Sequence, residues 1–171
     1  MAIYVGWVTP ASVHLARLTG WFLLLASVVV VLGLTLSPGI SSGTRSANLR
    51  PGHDIWLELH NLNPRVGLIN IFGNVAMFVP IGFLLVTAVG DGIARAVLGG
   101  ALLSTTIECC QYQIGRAADI DDVLLNATGA LLGAVAAAVS VAVVSKAARR
   151  PRHHQSQPRQ RARHPERVPS R

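Results

Sequence analysis

The chain contains little charge for its length. Only 13% of its 171 residues are charged and 51% are hydrophobic, whereas about 25% of the residues in a soluble domain carry charge. The mean hydropathy is accordingly positive, at +0.46. This composition disfavours a soluble globular domain and indicates a helical membrane protein with room for one small domain.

Cysteine and histidine are scarce in the positions where metal or nucleophilic chemistry would need them. The only two cysteines, Cys109 and Cys110, are adjacent. Adjacent cysteines do not chelate a metal as C-x-x-C does, and a disulfide between neighbours is strained. No histidine lies in any long apolar run. The sequence therefore predicts no histidine-ligated metal site, no histidine-based catalytic triad and no cofactor in the membrane.

Four apolar runs dominate the chain, over about residues 18–37, 69–89, 93–114 and 123–145. Each is long enough to cross a hydrocarbon core of about 30 Å as a helix. We predict an all-α fold, a polytopic membrane bundle of four transmembrane helices that forms one membrane domain over residues 18–145. A cleaved signal peptide is the alternative for the first run, but the run is long and no A-x-A site follows it.

The basic residues predict the orientation of the bundle. Nine of the fifteen Lys and Arg residues fall in the tail 146–171, and such tails are retained in the cytoplasm. With four spans, residues 1–17 are then also cytoplasmic, and the loop 38–68 faces outward. The tail is rich in Arg, Pro, His and Gln, so we expect it to be disordered and to bind anionic lipid rather than nucleic acid.

The first outer loop contains a short helical pattern, "HDIWLELHNL". Ile55, Leu59 and Leu62 are spaced i, i+4, i+7, with Trp56 beside them. This pattern predicts a short interfacial helix whose aromatic ring lies at headgroup level. His53 and His60 are two helical turns apart, too far to bind one metal ion from one helix, so they are expected on its polar face.

Polar residues recur near the outer ends of the last three spans, at spacings that place them on single helical faces. Amides and carboxylates inside a span face other helices or water rather than lipid. One polar cluster near the outer leaflet explains them all. The residues are Asn70 and Asn74 in the second span, Glu108 and Gln111 in the third, and Asp122 and Asn126 in the fourth.

Three motifs resemble those of the VanZ-like family. They are "NIFGNVAMFVPIGFLL", "STTIECCQ" and "RAADIDDVLLNATGALLG", in the family's order, over about residues 70–133. The resemblance implies a bacterial cytoplasmic-membrane protein, from a family named after a protein associated with low-level resistance to the glycopeptide teicoplanin. It also implies which positions carry the polar motifs: Asn70, Asn74, Glu108, Gln111, Arg116, Asp119, Asp122 and Asn126. Gly82, Gly129 and Gly133 match the family's small residues, and Pro80 its proline.

Three roles for the polar cluster follow from its residue types. It could bind a cell-wall precursor or a lipoglycopeptide, with Arg116 contacting a phosphate or carboxylate and the amides reading polar substituents. It could instead be a packing scaffold that contains an ion-pair network of Arg116 with Asp119 and Asp122. A carboxylate enzyme is the third alternative, with Glu108 and Asp119 or Asp122 as acid and base. Membrane lipids are the expected partners, and a homo-oligomer is left open.

Overall fold

The computed structural model describes residues 10–37, 45–60 and 62–148. Within these ranges, four helices are long and apolar enough to cross a membrane, which confirms the all-α bundle of four spans. They are α1 (Pro10–Thr35), α3 (Pro64–Leu84), α4 (Ile93–Gln113) and α5 (Ile120–Ala148). Helix α3 continues as a π-helical segment, Leu85–Val89. The short helix expected in the first loop is α2 (His53–Leu59). Residues 149–171, which make up most of the predicted disordered tail, lie outside the described residues.

Three helices begin before the apolar runs that predict them. Helix α1 begins at Pro10, α3 at Pro64 and α5 at Ile120. Proline suits the first turn of a helix because its missing N–H would have no intrahelical partner there. For α3, the Asn63 side chain also accepts a hydrogen bond from the backbone N–H of Arg65 at 3.3 Å. Hydropathy marks where a helix becomes apolar, whereas capping residues decide where it begins.

The closest packing in the bundle is between α3 and α5. A Cβ at Gly82 would overlap backbone atoms of Ala130, and a Cβ at Gly129 or Gly133 would overlap the backbone of Val75 or Val79. Glycine at these three positions lets the two backbones approach as they do in membrane helix pairs. Pro80 lies inside α3, and the helix continues on both sides of it.

A two-stranded parallel sheet ties the first outer loop to the loop between α4 and α5. Strand β1 (Ser46–Asn48) pairs with β2 (Ala117–Asp119), with Asn48 opposite Asp119. The sequence analysis did not predict these strands, because three residues are too few to show an alternating pattern. The pairing holds α2 beside the ends of α3 and α5, where the polar residues lie.

Candidate functional site

A cavity of about 510 Å³ lies at the end of the bundle that holds both connecting strands. It is lined by side chains from α2, α3, α4 and α5, together with the end of α1. The structure brings all eight of the polar residues singled out in the sequence to this polar cavity: Asn70, Asn74, Glu108, Gln111, Arg116, Asp119, Asp122 and Asn126.

The two asparagines of α3 contact different neighbours. Asn74 Nδ2 donates to Asp122 Oδ1 of α5 at 2.5 Å. Asn70, one turn earlier and exposed, donates to Glu58 Oε1 of α2 at 2.8 Å. The i, i+4 pair therefore joins α3 to α5 and to α2 along one wall of the cavity.

Another wall of the cavity is formed by the end of α4 and the loop after it. Glu108 Oε2 accepts a hydrogen bond from the backbone N–H of Asp119 at 2.8 Å. Gln111 Nε2 and Arg116 Nη1 both donate to the carbonyl oxygen of Thr35, at 3.0 and 2.6 Å. Because a carbonyl at a helix C-terminus has no intrahelical donor, these two side chains complete the end of α1.

The prediction that Arg116 forms an ion-pair network with Asp119 and Asp122 is wrong. Among residues 10–37, 45–60 and 62–148 the ion pairs are His53 with Asp54 and Arg95 with Asp91. The guanidinium of Arg116 instead donates to a backbone carbonyl on α1. Sequence proximity suggested a carboxylate partner, but the end of α1 lies 81 residues away along the chain and could not be read from local spacing.

Asn126 is the most enclosed of the eight polar side chains. Its residue is 2% exposed. Its Nδ2 donates to Ser104 Oγ of α4 at 2.8 Å, whereas its Oδ1 has no hydrogen-bond partner. A buried acceptor without a donor costs about 1–3 kcal/mol. This oxygen therefore lacks the donor that a buried acceptor normally has.

Asp121, which the candidate set omitted, is the most buried carboxylate, at 1% exposure. Its two oxygens accept from the backbone N–H groups of Gly52, Asp54 and Ile55, at 2.5, 2.8 and 3.1 Å. These donors form the N-terminal end of α2, which has no side-chain cap of its own. Asp121 thus caps a helix from another element and fixes α2 over the cavity.

The carboxyls of Asp54 and Asp119 share a hydrogen bond beside the cavity. Burial, and then this bond, raises the pKa of Asp119 to about 7. The same bond, followed by the contact with His53, lowers the pKa of Asp54. Asn48 Nδ2 donates to both carboxyls, at 2.9 Å to Asp54 and 3.4 Å to Asp119. Below about pH 7 the shared proton therefore resides on Asp119.

This proton predicts that the fold loses stability as the pH rises. Between about pH 4 and about pH 7, folded Asp119 keeps a proton that the unfolded chain releases, so its contribution is complete at low pH and is lost as the pH rises through about 7. We expect the thermal midpoint in detergent to fall from about pH 5 to about pH 8. Asp119→Asn keeps an acceptor for Asp121 and a donor for Asp54, so the fall should be smaller in this variant. An equal fall in the variant would contradict the assignment.

The polar cavity is rich in acidic groups. Six carboxyl groups line it, from Asp54, Glu58, Glu108, Asp119, Asp121 and Asp122, against the single guanidinium of Arg116. Glu58, like Asp121, was not among the residues selected from the sequence. Its Oε2 is buried without a hydrogen-bond partner. The sequence did not predict the hydrogen bond between Glu58 and Asn70, because this contact depends on how the loop that contains α2 folds back.

A second, apolar cavity of about 310 Å³ adjoins the first. Glu108 and Asp119 line both cavities. Most of its other walls are apolar or aromatic, including Leu49, Tyr112 and Val123. The polar and apolar cavities therefore share two residues in their walls.

No metal centre is evident in the part of the chain that the structure describes. No group of three or more His, Cys, Asp or Glu side chains there could hold a metal ion. Cys109 and Cys110 are free and exposed.

One comparison with known proteins found a match. The VanZ/LLP1 family model matches residues 20–141, well over half of the chain. No curated protein and no solved structure matches the chain. The match confirms the resemblance carried by the three sequence motifs.

Proposed function

The chain belongs to the VanZ/LLP1 family, and we propose that it is a multi-pass protein of the bacterial cytoplasmic membrane with an outward-facing binding cavity. The ligand would be a cell-wall precursor or another lipid-linked envelope molecule, and glycopeptide (teicoplanin) susceptibility would change as a result. The observation that carries the proposal is that polar side chains from three spans line one cavity of about 510 Å³.

The distribution of basic residues supports an outward cavity. Arg17, Arg95 and Lys146 lie at the end opposite the cavity, and eight more arginines follow Lys146 in the sequence, against four arginines at the cavity end. Basic residues accumulate on the cytoplasmic side of membrane proteins. The proposal therefore places both termini in the cytoplasm and the cavity at the outer leaflet.

The adjoining apolar cavity supports an amphiphilic ligand. A polar head in the larger cavity could continue into a hydrocarbon chain in the smaller one, since Glu108 and Asp119 line both. A lipid-linked precursor and an acylated glycopeptide both have this division into polar and apolar parts.

Filling the cavity tests the proposal. Gly73 lines the polar cavity, and a Cβ added there would meet no atom within 4 Å. Gly73→Trp should therefore occupy ligand space without disturbing helix packing. We expect it to reduce binding of a lipid-linked precursor or teicoplanin by purified protein at least about tenfold, because displaced contacts of about 1.4 kcal/mol suffice for that loss. Thermal stability should stay near that of the parent protein.

The matched control is the neighbouring residue Phe72, which is 65% exposed and does not line the cavity. Phe72→Trp should leave both binding and stability unchanged. Cells that express the two variants at equal abundance should differ in teicoplanin susceptibility, with only Gly73→Trp resembling cells without the protein. Unchanged binding in Gly73→Trp would overturn the proposed site.

A packing scaffold is the second candidate function, and one observation favours it. Each of the eight polar side chains has a hydrogen-bond partner within the protein, as in the Asn74–Asp122 and Asn126–Ser104 pairs. On this account Asn74→Ala would lower abundance and thermal stability, whereas Gly73→Trp would have no effect on any phenotype. The two substitutions together separate scaffolding from binding.

A further inference from the structure

The apolar cavity follows one face of α4. Thr105, Cys109 and Tyr112 are spaced i, i+4, i+7 on this helix, and all three are exposed and line the cavity. Together they cover about 10 Å along the helix axis. Ala47 of β1 and Leu49 after it form another part of the wall. Because the α4 residues that line it are exposed, the cavity is open to the bilayer along the side of a span.

The size of the apolar cavity suits one hydrocarbon chain. Its volume is about 310 Å³, at the lower end of the range of about 300–1,000 Å³ found for ligand cavities. Most of its lining is apolar or aromatic, so a chain that enters it gives up little more than its contacts with other lipids. The cavity has space for one chain rather than for the two chains of a diacyl lipid.

An arginine lies at the rim of the apolar cavity, at the C-terminal end of α4. The guanidinium carbon of Arg45 is 5.9 Å from the centroid of the Tyr112 ring. Its Nη2 donates to the carbonyl oxygen of Gln113 at 3.4 Å. Tyr112 and Gln113 both line the cavity. The cation–π contact and the hydrogen bond together hold the guanidinium beside the cavity.

The charge of Arg45 is available to an anion. Among residues 10–37, 45–60 and 62–148, the ion pairs are His53 with Asp54 and Arg95 with Asp91, so none of them neutralises Arg45. A guanidinium has five N–H donors, and the bond to Gln113 uses one of them. Arginine binds phosphate through two parallel hydrogen bonds, which the remaining donors can supply.

The guanidinium of the polar cavity is in a different situation. Arg116, which the sequence analysis assigned to a phosphate or carboxylate, donates to the Thr35 carbonyl oxygen at 2.6 Å. Six carboxyl groups line the same cavity, and negative charges at close range repel one another. A phosphate is therefore better accommodated beside Arg45 than inside the polar cavity.

Arg45 and the apolar cavity have the orientation of a lipid in the outer leaflet. Gln113 is the last residue of α4, at the end that the proposed function places at the outer boundary of the membrane. Thr105 lies about 10 Å deeper along the same helix. An amphiphile with its phosphate at Arg45 therefore has its chain directed along α4 toward the bilayer interior.

We infer that the apolar cavity holds the single hydrocarbon chain of a lipid phosphate whose phosphate is bound by Arg45. The inference rests on the proposed function and specifies its ligand as a lipid-linked envelope molecule in which a phosphate joins the chain to the polar head. The head is left to the polar cavity, which shares Glu108 and Asp119 with the apolar one.

Probes with one alkyl chain and different head groups test the charge. The full chain would be kept in an uncharged steroid detergent, which brings no alkyl chain of its own. It would be titrated with dodecyl phosphate, N-dodecylacetamide and dodecylamine, and the bound molecules counted by native mass spectrometry. We expect dodecyl phosphate to bind at least about tenfold more tightly than the other two, because a charge-assisted hydrogen bond supplies that difference.

A shorter probe tests the contribution of the chain. Butyl phosphate keeps the charge of dodecyl phosphate but lacks most of its methylene groups. Since each buried methylene adds to the affinity, butyl phosphate should bind at least about a hundredfold more weakly. Equal binding of the two phosphates would show that the apolar cavity does not hold the chain.

Two arginine variants locate the phosphate. Arg45→Gln removes the charge at the rim, so the affinity for dodecyl phosphate should fall about tenfold. Arg65→Gln is the matched control, because Arg65 is also exposed at this end of the bundle but lies at the start of α3 and lines neither cavity. Its affinity should be unchanged. If Arg45 only completes the end of α4, Arg45→Gln will lower the thermal midpoint and leave the affinity as it was, which would overturn the inference.

Two adjacent cysteines locate the chain. Cys109 and Cys110 are both exposed, but only Cys109 lines the apolar cavity. Cys109→Trp should fill the cavity and lower the affinity for dodecyl phosphate at least about tenfold, whereas Cys110→Trp should leave it unchanged. If Cys109→Trp fails to fold, the probe series on the parent protein still decides. Equal affinities in two folded variants would place the chain elsewhere.

A diacyl probe distinguishes the ligand from an ordinary membrane phospholipid. Dilauroyl phosphatidic acid has a phosphate and two chains of the same length as that of dodecyl phosphate. Comparable or weaker binding of this lipid supports a site for one chain. Binding at least about tenfold tighter than that of dodecyl phosphate, and lost in Cys109→Trp, would assign the cavity to a diacyl phospholipid and overturn the inference.

Gly73→Trp separates this inference from the proposed function. It fills the polar cavity, and dodecyl phosphate has no head group to place there, so its affinity for this probe should be unchanged. Unchanged dodecyl phosphate binding in Arg45→Gln, with precursor binding lost in Gly73→Trp, would remove the inference alone. Loss of probe binding in Arg45→Gln, with precursor binding intact in Gly73→Trp, would keep the lipid phosphate site and remove the polar cavity as the site of the head group.

Discussion

Gly133→Leu should leave almost no folded protein. A Cβ at this position would overlap the Val79 carbonyl oxygen and the Phe83 amide nitrogen, both backbone atoms of α3 that cannot move aside without displacing the helix. Overpacking in a compliant core costs about 1–3 kcal/mol, and backbone contacts raise that cost. Because close packing drives helix association in membranes, α3 and α5 should separate. The measurement is the yield of monodisperse protein in detergent and its thermal midpoint.

Gly73→Ala is the control for this effect. Gly73 is also a helical glycine, on α3, but a Cβ there would meet no atom within 4 Å. It should be tolerated, and its better helix propensity could raise stability by up to about 1 kcal/mol. Normal yield of Gly133→Leu, or equal losses in the two variants, would show that α3 and α5 do not pack through this face.

Asp121→Ala should release α2 from the bundle and open the polar cavity. The substitution removes both oxygens that accept the backbone N–H groups of Gly52, Asp54 and Ile55. Each buried donor left unpaired costs about 1–3 kcal/mol, so the helix should no longer remain docked. Hydrogen exchange at residues 52–59 should rise sharply, while exchange within α4 changes little.

Asp121→Asn separates charge from shape in this contact. It keeps one acceptor oxygen but loses the charge that favours the N-terminus of α2, so its exchange rates should lie between those of the parent and of Asp121→Ala. Asp91→Ala, at the opposite end, should leave residues 52–59 protected. Protection of that segment in Asp121→Ala would contradict the capping role.

The spans and the polar faces within them could be predicted from the sequence. Hydropathy locates the four long helices, and spacings of three or four residues place Asn70 with Asn74, and Asp122 with Asn126, on common faces. These are local properties of a helix. Once α3, α4 and α5 pack side by side, polar faces that avoid lipid must meet, so their convergence follows from the same patterns.

The part of the polar cavity that α2 lines could not be predicted from the sequence in this way. Asp54 and Glu58 reach the cavity because β1 pairs with β2, which joins Asn48 to Asp119 across 71 residues. A three-residue strand has no periodic signature. The role of Asp121 depends on the same long-range pairing. In the structure, α2 starts at Gly52 with a positive φ of 81° and no side-chain cap of its own, so its cap comes from another element.

The most direct test of the central claim is the water accessibility of the cavity from outside the cell. In a chain with Cys109 and Cys110 replaced by serine, Gly73→Cys places a thiol in the cavity and Phe72→Cys places one on the exposed apolar face of the same helix. A membrane-impermeant methanethiosulfonate added outside intact cells should modify the thiol at position 73 and leave that at position 72 unmodified. A thiol at position 73 that reacts only from the cytoplasmic side, or no more readily than at position 72, would contradict an outward polar cavity.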